Sequence, residues 1–268
     1  MSKLVLMLRV KDGIFYADEW LACYEKLVDE IVVVDNGSTD GTYEKLLQHP
    51  KVVASEKTYG YNEGRDKNLL YDLARARNPD WCLWLDIDEI FEPEITRTHL
   101  DKLMRRKHVN KFTFRRFHFI DRQNFAGSWY WLNYSSGHDR MMWRENKTGY
   151  FEELILDSPN VKGIKGLKIS TDIRLKHLGY INKALVDRKA DIYRAIDPAR
   201  ESMFQTMYLQ NEKPIRWIDN RNSLKVMLLN RLLDVIKTSN YFPKAYRKTK
   251  GLIQRKLLKG SAVTVAAG

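Results

Sequence analysis

The chain has 268 residues, 44% of them hydrophobic, enough to bury a substantial core, and one catalytic domain with an appended tail is the expected organisation. No apolar run approaches the roughly 20 residues needed to span a bilayer, MSKLVLMLRVKDG has no signal-peptide cleavage pattern, and cytosolic residence is the default expectation. Only two cysteines occur, Cys23 and Cys82, in segments that read as a helix and a buried strand, which argues against a disulfide framework or a structural zinc site. The formal net charge of +12 would suit a nucleic-acid binder, but Val235 to Gly268 carries eight Lys or Arg and no Asp or Glu, leaving +4 for the rest.

In chain order, Leu4 to Val10 is an apolar run that predicts a buried first strand. Asp18 to Leu27 has helical spacing, with Trp20, Leu21, Tyr24 and Leu27 on one stripe. Ile31 to Val34 predicts a second strand, and Asp35 to Thr42 gathers residues that favour turns and helix caps. Val52 to Ala54 fits a third strand, Gly64 to Ala76 a helix, and Trp81 to Leu85 a fourth strand. Strands alternating with helices predict an α/β fold whose parallel sheet carries helices on both faces.

Beyond Pro93 a helix is expected to about Lys107, and KFTFRRFHFI then alternates as a half-buried strand does, broken by the Arg115-Arg116 step. The pattern becomes antiparallel in style. Ser128 to Tyr134 clusters Trp129, Tyr130, Trp131 and Tyr134; read as a strand, it turns at least one of these rings outward as an acceptor contact. Arg140 to Arg144 reads as a strand, and Leu185 to Tyr193 and Ser223 to Ile236 as helices. The catalytic domain is expected over 1–220 and a helical, basic tail over 221–268. In that tail Phe242, Tyr246, Ile253 and Leu257 share a helical stripe among basic residues, which suits a helix lying on an anionic membrane, a solvated tail or a partner-binding arm.

Ligands of open α/β sheets settle outside the carboxyl ends of the strands, where both Asp35 to Asp40 and Asp86 to Glu89 fall. Asp86, Asp88 and Glu89 at one strand end would repel one another unless a cation or a cationic partner shares the site, which points to a metal site. On an extended chain, residues two apart point to the same side, so Asp86 and Asp88 could face one ion and a diphosphate bridged to it. Asp35 and Ser38 have helix capping as their alternative use, and Glu89 could continue the site or begin the next loop.

VVVDNGSTDGT followed by LDIDE resembles the motif pair of family 2 glycosyltransferases with the GT-A fold, of the bacterial cell-surface glycan type. The likeness continues in outline through NEGRDKN, RMMWR, FEEL and HLGY, over roughly residues 4 to 180. It implies a mixed, mostly parallel sheet flanked by helices, and inverting transfer of a sugar from a nucleotide-diphosphate donor, UDP-linked for preference, with Mg2+ or Mn2+. The acceptor it implies is a hydroxyl on a glycan or lipid carrier in polysaccharide or lipopolysaccharide synthesis. It also carries residue roles: Asp35 on the nucleotide base, Asn36 and Ser38 in its loop, Asp88 on the metal, and Asp86 on the metal, its water or the ribose. Arg65 and Asn68 match residues that orient donor groups, although an exposed helical Arg is common in any protein. His177 matches a histidine of the metal shell or diphosphate contact, with packing as the alternative. Aligning Leu154 with the family's His-Glu-hydrophobic step makes Glu153 the base, with Glu152 replacing the histidine and able to raise its pKa, take over its role or face solvent.

A nucleotidyltransferase uses a similar crevice, but RVKDGIFY is a poor version of its Gly-rich loop. A basic nucleic-acid-binding protein fits poorly with charge confined to the tail, and a catalytically silent sugar-binding relative stays open.

Overall fold

The computed structural model describes residues 2–135, 140–156, 158, 160–198 and 212–237. The chain divides into two compact units, Met1–Arg221 and Asn222–Gly268; the second is helical over 224–237. The aromatic stripe expected at Phe242, Tyr246, Ile253 and Leu257 lies outside the described residues. No helix among those residues is long and apolar enough to cross a membrane.

The first unit opens with β1 (Leu4–Val10), α1 (Ile14–Tyr24), β2 (Glu30–Asp35), α2 (Thr42–Leu47), β3 (Val52–Lys57), α3 (Glu63–Ala76) and β4 (Trp81–Trp84). β2 and β4 flank β1 in parallel and β3 adds to β2 in parallel, the crossover arrangement that alternating strands and helices predict. β5 (Glu89–Phe91), α4 (Arg97–Met104), β6 (Val109–His118), β7 (Asn124–Ala126), α5 (Trp129–Ser135), β8 (Arg140–Arg144), β9 (Leu167–His177), α6 (Lys183–Ile196) and β10 (Pro214–Arg216) follow. Among the described residues the main sheet has eight strands in the order β3-β2-β1-β4-β8-β6-β9-β5; β10 and β7 form a separate pair. β8 runs against β4 and β6, and β5 against β9, so the sheet is mixed but mostly parallel.

Both faces of this sheet are covered. Val5, Met7, Val32 and Val34 pack with Leu70, Tyr71 and Ala74 of α3 in one buried cluster. The alternate residues Leu4, Leu6, Leu8, Ile31 and Val33 are fully buried on the opposite face. A strand covered on both faces needs the continuous apolar run that β1 and β2 have, and each such side chain contributes about 1.5–3 kcal/mol.

Ser128 to Tyr134 corrects the strand expectation. It is the helix α5, in which Trp131 and Leu132 turn inward while Trp129, Tyr130 and Tyr134 are about half exposed. Crowded aromatics carry no period-2 signal, and at about 100° per residue one helix can bury one ring and expose its neighbours. The helix expected to reach Lys107 ends at Met104.

Candidate active site

The strand directions bring remote segments to one end of the sheet. β1 ends at Val10, the Cα partner of Asp35, and β4 leads directly to Asp86. Because β8 runs against β4, its first residue, Arg140, emerges at that same end. His118 and His177 end β6 and β9 side by side, and Glu89 opens β5 opposite His177.

A cavity of about 710 Å³ lies here, lined by residues of β1, α3, β4, β6, α5, β9 and α6. Seven Lys or Arg (Arg9, Lys11, Lys67, Arg116, Arg140, Arg188, Lys189) face it against four acids, Asp12, Glu63, Asp86 and Asp88, a balance suited to an anionic ligand. Tyr16, Tyr130, Trp131, Tyr134 and Tyr180 supply apolar wall.

Asp86 to Glu89 is a tight turn, closed by the Glu89 N–H donating to the Asp86 carbonyl at 3.1 Å. The chain turns here where an extended run was expected, and Asp86, which also lines the cavity, pairs with the Arg140 guanidinium. Burial pushes its carboxyl up, but Arg140 and then Lys67 outweigh burial and hold it at about 2. Asp88 Oδ2 lies 3.4 Å from His177 Nε2, and its Oδ1 is buried without a protein partner among the described residues. Burial above all raises its pKa, against the pull of Lys189 and with the Asp86 charge adding to the rise. The Leu178 N–H donates to the Asp88 carbonyl at 2.7 Å, pinning the end of β9 to the turn.

Glu89 opens a strand rather than a loop, and it lies behind the cavity lining. Its fully buried carboxylate receives Arg116 Nη1 at 3.1 Å, Arg140 Nε at 2.6–2.7 Å and the Asp86 N–H at 3.1 Å. Burial, then Arg116, lowers His177 to about 3, which leaves its imidazole neutral.

A divalent cation fits Asp88 and His177: a neutral imidazole and a carboxylate oxygen lacking a partner are suitable donors. Gly179 keeps the space open, since a Cβ there would meet Asp88 Oδ2 at 2.3 Å and His177 Cε1 at 3.0 Å. No third His, Cys, Asp or Glu joins them among the described residues.

The remaining expected residues are distributed unevenly. Asp35 is fully buried beside the rim; its Oδ1 accepts the Ser38 N–H at 2.8 Å and its Oδ2 has no partner among the described residues. Ser38 Oγ accepts the Asp12 N–H at 2.7 Å. The Asn36 amide donates to Thr58, Gly60 and Asp66, fixing the loop from within. Arg65, at the start of α3, forks onto Asp66 and donates to the Gly60 carbonyl. Asn68 is spent at both ends of its amide on the Phe151 backbone, at 2.8 and 2.9 Å.

Neither Glu152 nor Glu153 lines the cavity. Both are exposed beside a separate shallow groove with Asn68, Asp72 and Arg75. Their backbone lies on the start of α3, where Gly64 alone allows it: a Cβ there would meet the Glu152 carbonyl at 2.3 Å and Glu153 Cα at 2.5 Å. Sequence reasoning missed several cavity residues. Asp12 holds a left-handed φ of 51° and pairs with Arg188 at 2.7 Å. Glu63 accepts from the Tyr61 hydroxyl (2.9 Å), Lys67 Nζ (3.3 Å) and the Ser158 N–H (3.1 Å). The Lys189 ammonium faces the turn: burial would lower its pKa, but Asp88 leads the charges that raise it.

A family model described as glycosyl transferase family 2 matches residues 19–161, just over half of the chain. No curated protein matches. Among solved structures, the chain is similar to S. aureus TarS 1-349 (15% identity, 88% of this chain and 78% of that one, TM-score 0.45). It is also similar to the mannosyltransferase PcManGT from Pyrobaculum calidifontis in complex with GDP-Man and Mn2+ (15% identity, 94% and 80%, TM-score 0.44). Glucosyl-3-phosphoglycerate synthase from Mycobacterium tuberculosis, with Mn2+, UDP-Glc and phosphoglyceric acid, matches over 44% of each chain at 16% identity, TM-score 0.33.

Proposed function

The chain belongs to glycosyl transferase family 2, and from that premise we propose that it transfers one sugar, with inversion and with Mg2+ or Mn2+, from a nucleoside diphosphate to an acceptor hydroxyl of a cell-surface glycan or its lipid carrier. The observation that carries the metal and donor reading is the Asp88–His177 pair, with Asp88 Oδ1 unpartnered inside a cavity of excess positive charge.

A bound divalent cation would offset negative charge on the departing diphosphate, where the transition state concentrates it. Arg140, Arg116 and Lys189 add fixed positive charge beside that position, and Glu89 holds the two guanidiniums still. The unpartnered Asp35 Oδ2 supports a nucleotide-base contact at the β2 loop. Half-exposed Tyr130 and Tyr134 on the cavity wall support stacking against a sugar ring.

Inversion needs a proton acceptor opposite the leaving group. Asp12 and Asp86 each pair with a guanidinium and Asp88 faces His177; Glu63, the fourth cavity carboxylate, is held by the Lys67 ammonium and the Tyr61 hydroxyl, and we assign that role to it. Glu63→Gln is expected to lower kcat about a hundredfold, and Glu153→Gln to leave it unchanged. The opposite result in steady-state assays returns the role to Glu153.

Thermal-shift measurements with UDP, GDP, CMP and dTDP sugars, each with and without Mn2+, test the donor reading. One nucleotide class should raise Tm by about 5 °C at a hundred times its Kd, and more with Mn2+. No shift from any of them would end the reading.

A further inference from the structure

His118 makes a contact that the proposed chemistry does not yet use. Its Nδ1 lies 3.0 Å from Nδ1 of His177, with ring centroids 4.7 Å apart and planes inclined by 70°. Both rings are buried, 2% and 5% exposed. Two ring nitrogens this close share a single proton, so one imidazole donates and the other accepts, and that choice fixes where each ring carries its own proton.

The direction follows from what His177 does with its other nitrogen. To offer the Nε2 lone pair to a cation beside Asp88, His177 must carry its proton on Nδ1 and donate it to His118. His118 then carries its proton on Nε2. That nitrogen is buried, has no protein partner among the described residues and belongs to a ring lining the cavity.

Resting on the metal-dependent reading above, we propose that His118 is a positioning residue: it accepts the His177 Nδ1–H, fixing the tautomer that opens Nε2 to a divalent cation, and it presents its own Nε2–H to an oxygen of the bound sugar. Imidazoles that bind metals usually donate their second N–H to a carboxylate, a carbonyl or water. A carboxylate accepts in any state, whereas an imidazole accepts in only one tautomer. The cation's lone pair and the sugar's hydrogen-bond donor are therefore set together. Trp131, Tyr134 and Tyr180, with centroids 4.6, 5.6 and 5.6 Å from that of His118, hold its ring in place.

Calorimetric Mn2+ titration of the full chain, with and without nucleoside diphosphate, and 15N NMR of its imidazoles in Mg2+ test this. The expected results are His118 protonated on Nε2, Mn2+ binding weakened about 10–100-fold in His118→Phe, and most of it restored in His118→Asn, whose side-chain oxygen can stand where Nδ1 stood. Undiminished Mn2+ affinity in His118→Phe, or His118 protonated on Nδ1 in the Mg2+ form, would overturn the proposal and leave the metal reading standing. An unaltered chain that binds no Mn2+ in either condition removes the metal reading and the proposal with it. Should His118→Phe fail to fold, the NMR tautomer and the His118→Asn titration decide.

Discussion

Glu89→Gln is expected to lower unfolding free energy by about 3–5 kcal/mol, a large share of the roughly 5–15 kcal/mol typical of a folded domain. Glu89 is fully buried and its carboxylate receives two guanidiniums, each with a side chain about 10% exposed. The substitution keeps the volume but removes the charge, leaving Arg116 and Arg140 to lose compensation where water cannot easily replace it. Asp86 still pairs with Arg140. Urea unfolding followed by circular dichroism decides, with exposed Glu44→Gln as the control. A midpoint no lower than that of the control would show that Glu89 does not hold the guanidiniums in place.

The parallel half of the sheet was readable because its signals are local. β1, β2 and β4 are apolar runs flanked by turn residues, and each appears within one or two residues of its expected limits. The antiparallel half was harder, since its strands carry charge on a buried face. Along β6 and the residue after it the apolar phase moves from Phe112 and Phe114 to Phe117 and Phe119, which reads as an interruption. The strand continues through it; Arg116 and His118 succeed Phe112 and Phe114 in alternation where the sheet reaches the cavity. A buried arginine is legible only when its carboxylate is known, and Glu89 lies 27 residues from Arg116 and 51 from Arg140.

The same distinction governs the site. Asp88 and His177 were identified as candidates separately, and the structure brings them to 3.4 Å through the pairing of β5 with β9. Asp86 could not be separated from Asp88 by spacing, because spacing does not reveal that a turn sends one toward Arg140 and the other toward His177. Glu153 was expected from alignment of a four-residue motif, and what moves it out of the cavity is backbone contact with Gly64, remote in sequence. Glu63 gave no signal beyond an acid near the start of a helix, which is ordinary on dipole grounds alone.

Gly179→Ala offers a sharp test of the Asp88–His177 centre, because the residue has no charge to lose and makes no side-chain bond. Its φ is outside the positive range that disfavours other residues, so the backbone tolerates alanine. The added methyl carbon would lie 2.3 Å from Asp88 Oδ2 and 3.0 Å from His177 Cε1, inside contact distance of both. One of them must move. The short Asp88 side chain yields at least cost by rotating away, and the lone pairs offered to a cation diverge. Turnover in Gly179→Ala should fall by about two to three orders of magnitude, close to that of Asp88→Ala, with thermal stability reduced by about 1 kcal/mol. Transfer assays over a Mn2+ series separate the causes: a displaced carboxylate raises the Mn2+ requirement, whereas general damage to the fold lowers Tm without changing it. Full turnover at the original Mn2+ requirement would mean that the carboxylate and imidazole do not act together on one ion.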